Sequence, residues 1–382
     1  MEQELISKKI AIIGAGPAGC MCAKVLSDKG ISSTVFEKSK ILATLLPTGG
    51  GKCNLGYAEF DFKELSKNYP RGEKFLYSVF SQFDTSNTID FFKTIGIDTY
   101  IREDNRIFPV SNSSADVRNK FIHSISSAKY NNEEVLEIKK VDSKYNLKTN
   151  NNLYEFDIVV IAIGGHSGVE ILRKLNLNIN AQTQALVGLT TGIDYSELAG
   201  VSIKNVKCDK FVGDILFTHR GISGPLVYTL SSIYARRSFP YNLSFQLHEN
   251  FDLQELLNTN SNKEIKNLLG QFLPKSFSSM LLNMLNINPE LKCHKIDRKT
   301  RDKIKEKLNN FIITVTGKFP QGEVVTCGGV DLTEINPKTL ESKKYPNLYF
   351  CGEILDIDGF CGGFNLQNCW STGYITAKSI LK

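Results

Sequence analysis

The chain lacks any long hydrophobic run, although 41% of its 382 residues are hydrophobic. A transmembrane helix needs about 20 consecutive apolar residues, and no segment approaches that length. The N-terminal segment MEQELISKK also lacks the apolar core and the small-residue cleavage site of a secretory signal. We therefore expect a cytoplasmic protein with no membrane partner.

Nine cysteines are present, but no two of them form a Cys-x-x-Cys pair. Structural zinc sites are normally built from such pairs, and secreted disulfide frameworks usually belong to much shorter chains. The missing pair also disfavours a disulfide reductase. We expect no metal site, and most of the cysteines should be reduced, small and buried.

The length and the charge set two further limits. A chain of 382 residues exceeds the size at which one hydrophobic core stops growing, which predicts two domains or one domain with a large insertion. The net charge of +6 is compatible with a polyanionic partner such as a nucleic acid, but does not require one. The oligomeric state stays open.

The segment KKIAIIGAGPAGCMCAKVLSDKGISSTVFEKS predicts a βαβ unit that binds a dinucleotide. An apolar strand over 10–13 leads into the glycine turn, and an amphipathic helix closed by Gly30 follows. In such units the first glycine makes the turn, the second lets the backbone approach the pyrophosphate, and the third lets the helix pack on the strand. The helix N-terminus then faces the phosphates.

A carboxylate closes this unit. Glu37 ends the second strand, 18 residues beyond Gly19, where it can accept the ribose hydroxyls. A carboxylate there disfavours a 2′-phosphate, so FAD or NAD is favoured over NADP in this site. The predicted contacts are Gly14, Ala15, Gly16, Pro17, Ala18, Gly19, Glu37 and Lys38.

The stretch LLPTGGGKCNLGY favours FAD over NAD. Three glycines leave the backbone bare beside two polar side chains, as expected where a chain wraps the pyrophosphate and ribityl of an extended cofactor. A flexible surface loop is the alternative. The predicted contacts are Gly49, Gly50, Gly51, Lys52, Cys53 and Asn54.

Between 132 and 168 a strand-like alternation precedes a buried strand, Ile158 to Ile163, that opens onto two glycines. Many flavin-binding folds cover the adenosine half of FAD with such a strand meander, and an ordinary sheet edge is the alternative. The predicted contacts are Val135, Ala162, Gly164 and Gly165. Because GGHSG does not fit G-x-G-x-x-G, we expect no separate nicotinamide domain, and NADH or NADPH should reach the same open face as the substrate.

The C-terminal stretch YFCGEILDIDGFCGGFNLQNCWSTG predicts the flavin end of the site. A short strand, Leu348 to Cys351, delivers an acid that contacts the ribityl chain in two-motif flavoproteins. A helix beginning at Asn365 then aims its N-terminal N–H groups at the N1–O2 edge of the flavin, where negative charge gathers on reduction. The predicted contacts are Gly352, Glu353, Gly362, Gly363, Phe364, Asn365 and Leu366.

Taken in order, these segments resemble the BaiN/YhiN-like (aminoacetone-oxidase-like) FAD-dependent flavoproteins. Six stretches covering nearly the whole chain look like family signatures: IIGAGPAG, TGGGKCN, RIFPVSNSSADV, GDILFTHRGISGP, TCGGVDLTEINPKTLESK and LYFCGEILDIDGFCGGFNLQNCWSTG. One departure is Lys52, where family members often carry Arg, because lysine keeps the charge but loses the bidentate fork. Another is NLGY in place of an Asn-x-Thr-Asn run, so only Asn54 carries over there.

The resemblance implies an α/β fold in which a two-motif FAD-binding Rossmann-like domain is interrupted by a β-rich plus helical insertion domain. The FAD-binding domain is expected over 1–188 and 321–382, and the insertion over 189–320. Helical periodicity over 252–286 and 301–311 supports helices in the insertion. The polar stretches NYPRG and LTTG are the best candidate breakpoints.

The resemblance also implies three reactions, because family members are linked to dihydrouridine formation in large-subunit ribosomal RNA, to oxidation of small amines such as aminoacetone, and to bile-acid reduction. We expect reduction of a nucleobase, since an uncharged uracil enone is a good hydride acceptor. A non-catalytic, FAD-containing RNA-associated scaffold is a further alternative. The basic stretches RKTRDKIKEK and KKVDSKYNLKT favour RNA, but solvated helix faces explain them as well.

Three residues are the catalytic candidates. Cys361 could deliver a proton after hydride transfer, a role that cysteine plays in unrelated flavin-dependent uridine reductases, or it could be a buried packing residue. His219 and Arg220 could bind an anionic or carbonyl-bearing substrate, and His219 could donate a proton near neutral pH. A turn is the alternative for both. Arg106 is a further ligand candidate, ahead of a helix capped by one of residues 112–114.

Overall fold

A computed structural model describes residues 7–165, 168–248, 252–320 and 325–382. Three features interpreted above fall outside the described residues: the first six residues of the N-terminal segment, His166 and Ser167 of GGHSG, and the expected boundary at residue 321. In the part that is described, no helix has the length and apolar character needed to cross a membrane.

The chain divides into two units. The first comprises 1–183 and 325–382, and the second comprises 184–324. The expected boundaries, 188/189 and 320/321, lie within five residues of these. NYPRG, which was a candidate breakpoint, lies inside the first unit, so that interpretation is wrong.

Nineteen strands are found in the described residues. They are β1 Ile10–Ile13, β2 Ser33–Phe36, β3 Gly56–Tyr57, β4 Thr99–Ile101, β5 Arg106–Pro109, β6 Ala128–Asn131, β7 Val135–Val141, β8 Lys144–Thr149, β9 Leu153–Phe156, β10 Ile158–Ile161, β11 Ile179–Ala185, β12 Leu189–Thr191, β13 Ser202–Cys208, β14 Phe211–Thr218, β15 Gly221–Ser223, β16 Tyr241–Phe245, β17 Phe311–Lys318, β18 Val325–Val330 and β19 Leu348–Phe350.

The α-helices of the described residues number eleven. They are α1 Pro17–Ser27, α2 Phe62–Ser66, α3 Glu73–Phe80, α4 Thr85–Thr94, α5 Ser114–His123, α6 Pro225–Ile233, α7 Leu253–Thr259, α8 Ile265–Leu269, α9 Lys275–Met284, α10 Arg298–Asn309 and α11 Phe364–Ile380.

The first unit is built on a parallel sheet with the strand order β19-β10-β1-β2-β6. Every residue of β1, β10 and β19 is buried, as expected for parallel strands covered on both faces. The chain runs from β1 to β2 on one side, and β10 pairs on the other. This reversal of strand order creates a crevice at the carboxyl ends, where open α/β sheets bind their ligands.

Helix α11 packs closely on α1. A Cβ at Gly373 would lie 2.4 Å from the backbone oxygen of Ala18, so the helices approach as closely as they do only because this residue is glycine. On another side of α11, the indole Nε1 of the fully buried Trp370 donates to the backbone oxygen of Leu55 at 2.9 Å. The ring packs against Phe92 and Phe121, with centroids 5.2 and 5.8 Å away.

Three small sheets complete the first unit. The antiparallel meander β7-β8-β9 lies in the segment 132–168 in which strands were predicted, and its cover of the adenosine half stays a prediction. A second sheet has the order β3-β5-β4, and a third pairs β11 with β18. Helix α5 follows β5, and its cap is Ser113, whose hydroxyl accepts from the backbone N–H of Asp116 at 3.2 Å.

The second unit contains one antiparallel sheet with the order β13-β14-β15-β12-β17-β16. Its two edge strands meet through paired backbone hydrogen bonds between Lys207 and Gln246, at 2.8 and 3.0 Å. Helices α6 to α10 belong to the same unit, and Phe277 packs between Phe217 and Phe311 in its core, with ring centroids 5.5 and 5.3 Å away. The predicted fold class is confirmed: a Rossmann-like α/β unit interrupted by a β-rich and helical insertion.

Candidate functional site

The turn between β1 and α1 gives each of its three glycines a distinct role. Gly14 has a φ of +102°, and a Cβ there would lie 2.3 Å from the backbone oxygen of Ala162. A Cβ at Gly19 would lie 2.0 Å from the backbone oxygen of Gly14. At Gly16 no heavy atom of another described residue outside the helix backbone lies within 4 Å of the Cβ position, which leaves the approach to the helix N-terminus open. Gly14 and Gly19 are therefore needed by the fold, whereas the space at Gly16 is available to a ligand.

Glu37 is anchored at this turn. Strand β2 ends one residue before it, at Phe36, whose backbone oxygen accepts from the N–H of Gly14 at 2.8 Å. One Glu37 carboxylate oxygen accepts from the N–H of Ala15 at 2.8 Å, and the other accepts from the N–H and hydroxyl of Ser39 at 2.9 and 2.8 Å. These bonds fix the carboxylate, and its remaining lone pairs can accept ribose hydroxyls.

The neighbouring residue links the turn to the meander. The Nζ of Lys38 lies 3.0 Å from a carboxylate oxygen of Glu134, and both side chains are exposed. Val135 follows Glu134 and is buried at the start of β7. A contact of Val135 with the adenosine would therefore use its backbone, because the side chain belongs to the core.

The second glycine loop has a left-handed backbone. Gly49, Gly50 and Gly51 have φ values of 59°, 67° and 85°, a run that only glycine adopts at low cost. Cβ atoms at Gly50 and Gly51 would meet no other part of the described structure within 4 Å, so the loop presents bare backbone. Lys52 is exposed, as a side chain that contacts a pyrophosphate in an open cleft would be.

The loop ends on two buried residues. Burial raises the pKa of the Cys53 thiol to about 12, so this cysteine is an inert packing residue. Asn54 is only 8% exposed, and its Oδ1 has no hydrogen-bond partner among the described residues. An unsatisfied buried acceptor costs about 1–3 kcal/mol. A ligand N–H or hydroxyl would remove that cost.

At the carboxyl end of β10 the chain again becomes glycine-rich. The strand ends at Ile161, two residues earlier than expected, and Ala162 and Gly164 follow it. Gly164 has a φ of +76° and open space at its Cβ position, whereas a Cβ at Gly165 would lie 2.2 Å from the hydroxyl of Thr326. Gly165 is thus required by packing, and Gly164 leaves room beside the crevice.

Strand β19 ends at Phe350, one residue earlier than predicted, and delivers Gly352 and Glu353 to the same end of the sheet. The N–H of Gly352 donates to the hydroxyl of Thr372 at 2.9 Å. A carboxylate oxygen of Glu353 accepts from the N–H of Thr326 at 2.6 Å. Both contacts fix the acid that was expected to face the ribityl chain.

Helix α11 begins at Phe364, one residue before the predicted start, with Gly363 as its N-cap at a φ of 103°. A Cβ at Gly363 would lie 2.6 Å from the backbone oxygen of Gly56, and Gly362 has a φ of 152°. Among the described residues no side chain caps this helix. Its first N–H groups and the positive end of its dipole are therefore available to an acceptor with developing negative charge.

Asn365 uses its side chain inside the loop. Its Oδ1 accepts from the N–H of Gly359 at 2.8 Å, and its Nδ2 donates to the oxygen of the same residue at 2.9 Å. Phe364 is buried and Leu366 is half-buried. The contribution of all three residues to a cofactor would come from the backbone.

Sequence reasoning missed the residues that hold this loop. The guanidinium of Arg71 forms a two-point ion pair with the carboxylate of Asp358, which is 0% exposed. The hydroxyl of Tyr69 donates to the backbone oxygen of Phe364 at 2.6 Å, and Asn68 accepts from the N–H of Phe360 at 3.0 Å. NYPRG is thus a support for the glycine loop, and no local pattern signals a contact across 287 residues.

Cys361 is exposed, so its interpretation as a buried packing residue is wrong. Its Sγ lies 4.0 Å from an Nη of Arg106, the further ligand candidate of the sequence analysis. The thiol stands two residues before the N-cap of α11. Seven of the other cysteines are buried, as expected, and Cys369 is partly buried.

His219 and Arg220 form the exposed two-residue turn between β14 and β15, in the second unit. The N–H of Arg220 donates to the hydroxyl of Thr218 at 3.2 Å. The hairpin geometry accounts for these residues as a turn. A substrate contact for either of them stays a prediction.

The residues of the first unit fit FAD. Open backbone at Gly16 and Gly164 follows the carboxyl ends of β1 and β10, which are parallel neighbours in the sheet. The same unit holds open backbone at Gly50, an unsatisfied buried acceptor at Asn54 and the uncapped N-terminus of α11. An extended dinucleotide needs these features. Within the described ranges, no group of three or more His, Cys, Asp or Glu side chains is arranged to hold a metal ion.

Comparisons with known proteins find relatives that match nearly the whole chain. The chain is 28% identical over 397 residues to the ribosomal RNA dihydrouridine synthase of Escherichia coli K12, with 97% of each chain covered. It is 25% identical over 407 residues to the 3-dehydro-bile acid delta(4,6)-reductase of Clostridium scindens, with 97% of this chain and 98% of the relative covered.

A solved structure has the same fold. The 3-ketosteroid delta1-dehydrogenase of Sterolibacterium denitrificans aligns with a TM-score of 0.52 at 11% identity, over 98% of this chain and 99% of that one. The family model of the HI0933-like protein Rossmann domain matches residues 8–379. The chain therefore belongs to the HI0933-like Rossmann family, as an FAD-dependent oxidoreductase.

Proposed function

We propose that this protein uses NADH or NADPH to reduce uridine to dihydrouridine in large-subunit ribosomal RNA. The observation that carries the proposal is the exposed Cys361 thiol, 4.0 Å from an Nη of Arg106 and two residues before the N-cap of α11. Two relatives named ribosomal RNA dihydrouridine synthase, from E. coli and Haemophilus influenzae, support it with 28% and 27% identity over nearly their full lengths. An rRNA substrate also implies a cytoplasmic location.

The chemistry defines what the chain must provide. The C5–C6 double bond of uracil is conjugated with the C4 carbonyl, so a hydride adds at C6 and a proton at C5. Bound FAD, once reduced by NADH or NADPH, supplies the hydride. The protein must hold the base, stabilise the negative charge that develops on O4, and deliver the proton to C5.

Cys361 is the proton donor in this proposal. Its exposure lets substrate and water reach the sulfur, and an Nη of Arg106 lies 4.0 Å from it. Water then reprotonates the thiolate before the next turnover. Buried thiols are unsuited to this role, because burial raises the pKa of Cys20, Cys22 and Cys351 and keeps solvent away.

One experiment tests the reaction together with NADH or NADPH as the reductant. The purified flavoprotein is mixed with NADH or NADPH in a stopped-flow spectrometer, and ribosomal RNA from a strain that lacks the gene is then added. We expect flavin bleaching, reoxidation by the RNA and a new dihydrouridine in the large-subunit rRNA. Bleaching without dihydrouridine would contradict the RNA substrate.

The proton donor is tested with a matched pair of variants. Cys361→Ala should keep flavin reduction but lose at least about 100-fold in dihydrouridine formation, since general acids typically contribute 10²–10⁴-fold. Cys293→Ala removes a buried thiol of the second unit and should react like the wild type. Equal rates for both variants would remove Cys361 from the mechanism.

Reduction of a small conjugated ketone is the second candidate. The 25% identity over nearly the whole length to the protein named 3-dehydro-bile acid delta(4,6)-reductase favours it. A 3-oxo group conjugated to a double bond presents the same polarised carbon as uracil. Reoxidation of the reduced flavin by such a ketone but not by RNA would select this function, and oxygen consumption with aminoacetone would select amine oxidation.

A further inference from the structure

The segment 234–241 of the second unit carries a stack of aromatic and arginine side chains between α6 and β16. The guanidinium of Arg237 lies over the rings of Tyr234 and Tyr241, 5.4 and 5.0 Å from their centroids. The ring of Phe239 is stacked on Tyr241 at 5.4 Å with an angle of 20° between the planes. We call these four residues the aromatic–arginine cluster.

The cluster presents one ring to solvent. Tyr241 is 5% exposed and forms the floor of the stack, whereas Phe239 is 39% exposed. A single exposed phenylalanine is ordinary on a protein surface. This one differs because its ring is already held in one orientation by the buried tyrosine beneath it, so little conformational freedom is lost when a planar group stacks on it.

Two cations precede the exposed ring in the chain. Arg236 and Arg237 are both exposed. The adjoining β13–β14 turn is tied to the cluster, because the hydroxyl of Tyr234 donates to the carboxylate of Asp209. An aromatic platform with flanking cations is the combination that binds single-stranded nucleic acid.

We infer that the aromatic–arginine cluster is a docking surface for single-stranded RNA. An unpaired base stacks on Phe239, and a neighbouring phosphate binds Arg236. Arg237 is a positioning residue, since its guanidinium holds the two tyrosines in the stack. The inference rests on the proposed function for the nature of the substrate and adds the surface that holds the RNA.

The basic helix α10 is the competing surface. It carries more cations, but Arg298 and Arg301 both pair with Asp302, at 3.8 and 3.3 Å. Lys307 lies over the ring of Phe311, which is fully buried and offers no stacking face. The helix therefore has the character of a solvated charged face, whereas 234–241 combines charge with an accessible ring.

The test compares matched variants of the full-length flavoprotein. Binding of a fluorescein-labelled, single-stranded RNA of mixed sequence is measured by anisotropy over a series of salt concentrations. Phe239→Ala is matched with Ile312→Ala, which removes an apolar side chain of similar exposure, 40%, from β17. Arg236→Gln is matched with Lys303→Gln, which removes an exposed cation from α10.

The two kinds of contact predict different results. Phe239→Ala should weaken binding about tenfold, within the range of base–aromatic stacking, and leave the salt dependence unchanged. Arg236→Gln should weaken binding and lower the slope of log K against log salt by about 0.7. Both control variants should bind like the wild type. If Phe239→Ala fails to fold, Phe239→Leu takes its place in the test. This variant keeps an apolar contact with Tyr241 but should lose most of the same RNA affinity.

Three outcomes separate the surface from the reaction. If Phe239→Ala and Ile312→Ala bind RNA equally while the wild type still forms dihydrouridine, the docking surface is wrong and the proposed function stands. If Phe239 variants lose RNA affinity but no dihydrouridine forms, the surface stands and the reaction is wrong. If the wild type neither binds nor modifies RNA, both are overturned.

Discussion

Replacing Gly16 or Gly19 with alanine should separate cofactor binding from folding, although both glycines belong to the same turn. Gly16 has a φ of −77°, which alanine adopts readily, and its Cβ position is empty to 4 Å. At Gly19 the new methyl group would lie 2.0 Å from the backbone oxygen of Gly14, which cannot rotate away. One substitution therefore adds a group to empty space, and the other adds it to the packed core.

The expected magnitudes follow from these distances. Gly16→Ala gains about 0.4–1 kcal/mol from the lower entropy of the unfolded chain, and the poorer N-cap offsets several tenths of that gain. The stability of the FAD-free protein should thus change by less than about 0.5 kcal/mol. Gly19→Ala should cost at least about 1–3 kcal/mol, because the backbone must move. Affinity for FAD should fall at least about tenfold in Gly16→Ala, which is about 1.4 kcal/mol.

Urea unfolding of the FAD-free protein measures the first quantity, and titration with FAD followed by flavin fluorescence measures the second. We expect Gly16→Ala to unfold like the wild type and to retain little FAD after gel filtration. Two results would refute the reasoning. One is a loss of stability in Gly16→Ala as large as that in Gly19→Ala, and the other is wild-type FAD affinity in Gly16→Ala.

Three further predictions concern ion pairs and thiols. Asp358→Asn should lower the free energy of unfolding by about 3 kcal/mol, because it removes the buried carboxylate that pairs with the Arg71 guanidinium. Asp104→Asn, in an exposed pair, should change the free energy of unfolding little, and equal effects of the two substitutions in urea unfolding would contradict this prediction. The Arg102 guanidinium lowers the pKa of Asp104 to about 2, so the stabilising contribution of this carboxylate should be complete above its unfolded pKa of about 4 and lost as the pH falls towards 2; an NMR midpoint near pH 4 would disprove it. A thiol reagent should modify one cysteine of the folded protein in a rapid phase, and Cys361→Ala should abolish this phase, because the buried thiols have raised pKa values and no solvent access. A rapid phase that survives in the variant would assign the modification to another cysteine.

The parts of the site that the sequence predicts are those in which neighbouring residues specify one another. The spacing of Gly14, Gly16 and Gly19 encodes a strand, a turn and a helix within a single short segment, and the structure gives each glycine a role of its own. Short segments also predict the glycine run before Asn54, the strand β19 and the helix α11 that begins after Gly363. The sequence predicts these features because few residues other than glycine allow backbone segments to approach so closely.

The parts that the sequence does not predict depend on contacts between distant segments. Arg71 and Asp358 are 287 residues apart, and neither stands in a pattern that identifies the other. The exposure of Cys361 depends on the path of a loop held by Tyr69 and Asn68, and the sequence around the thiol does not specify that path. Likewise Asn365 is predicted from its position in the sequence to contact the cofactor, but its side-chain amide forms hydrogen bonds with the backbone of Gly359.

Trp370 gives the molecule an internal optical reporter. It is the only tryptophan in the chain, it is fully buried, and it lies six residues, about 9 Å along the helix axis, from the start of α11. Indole emission overlaps flavin absorption, so resonance energy transfer should quench this fluorophore when isoalloxazine occupies the crevice and release the signal when it departs. Cofactor occupancy and unfolding of the first unit can thus be followed in real time without any attached dye.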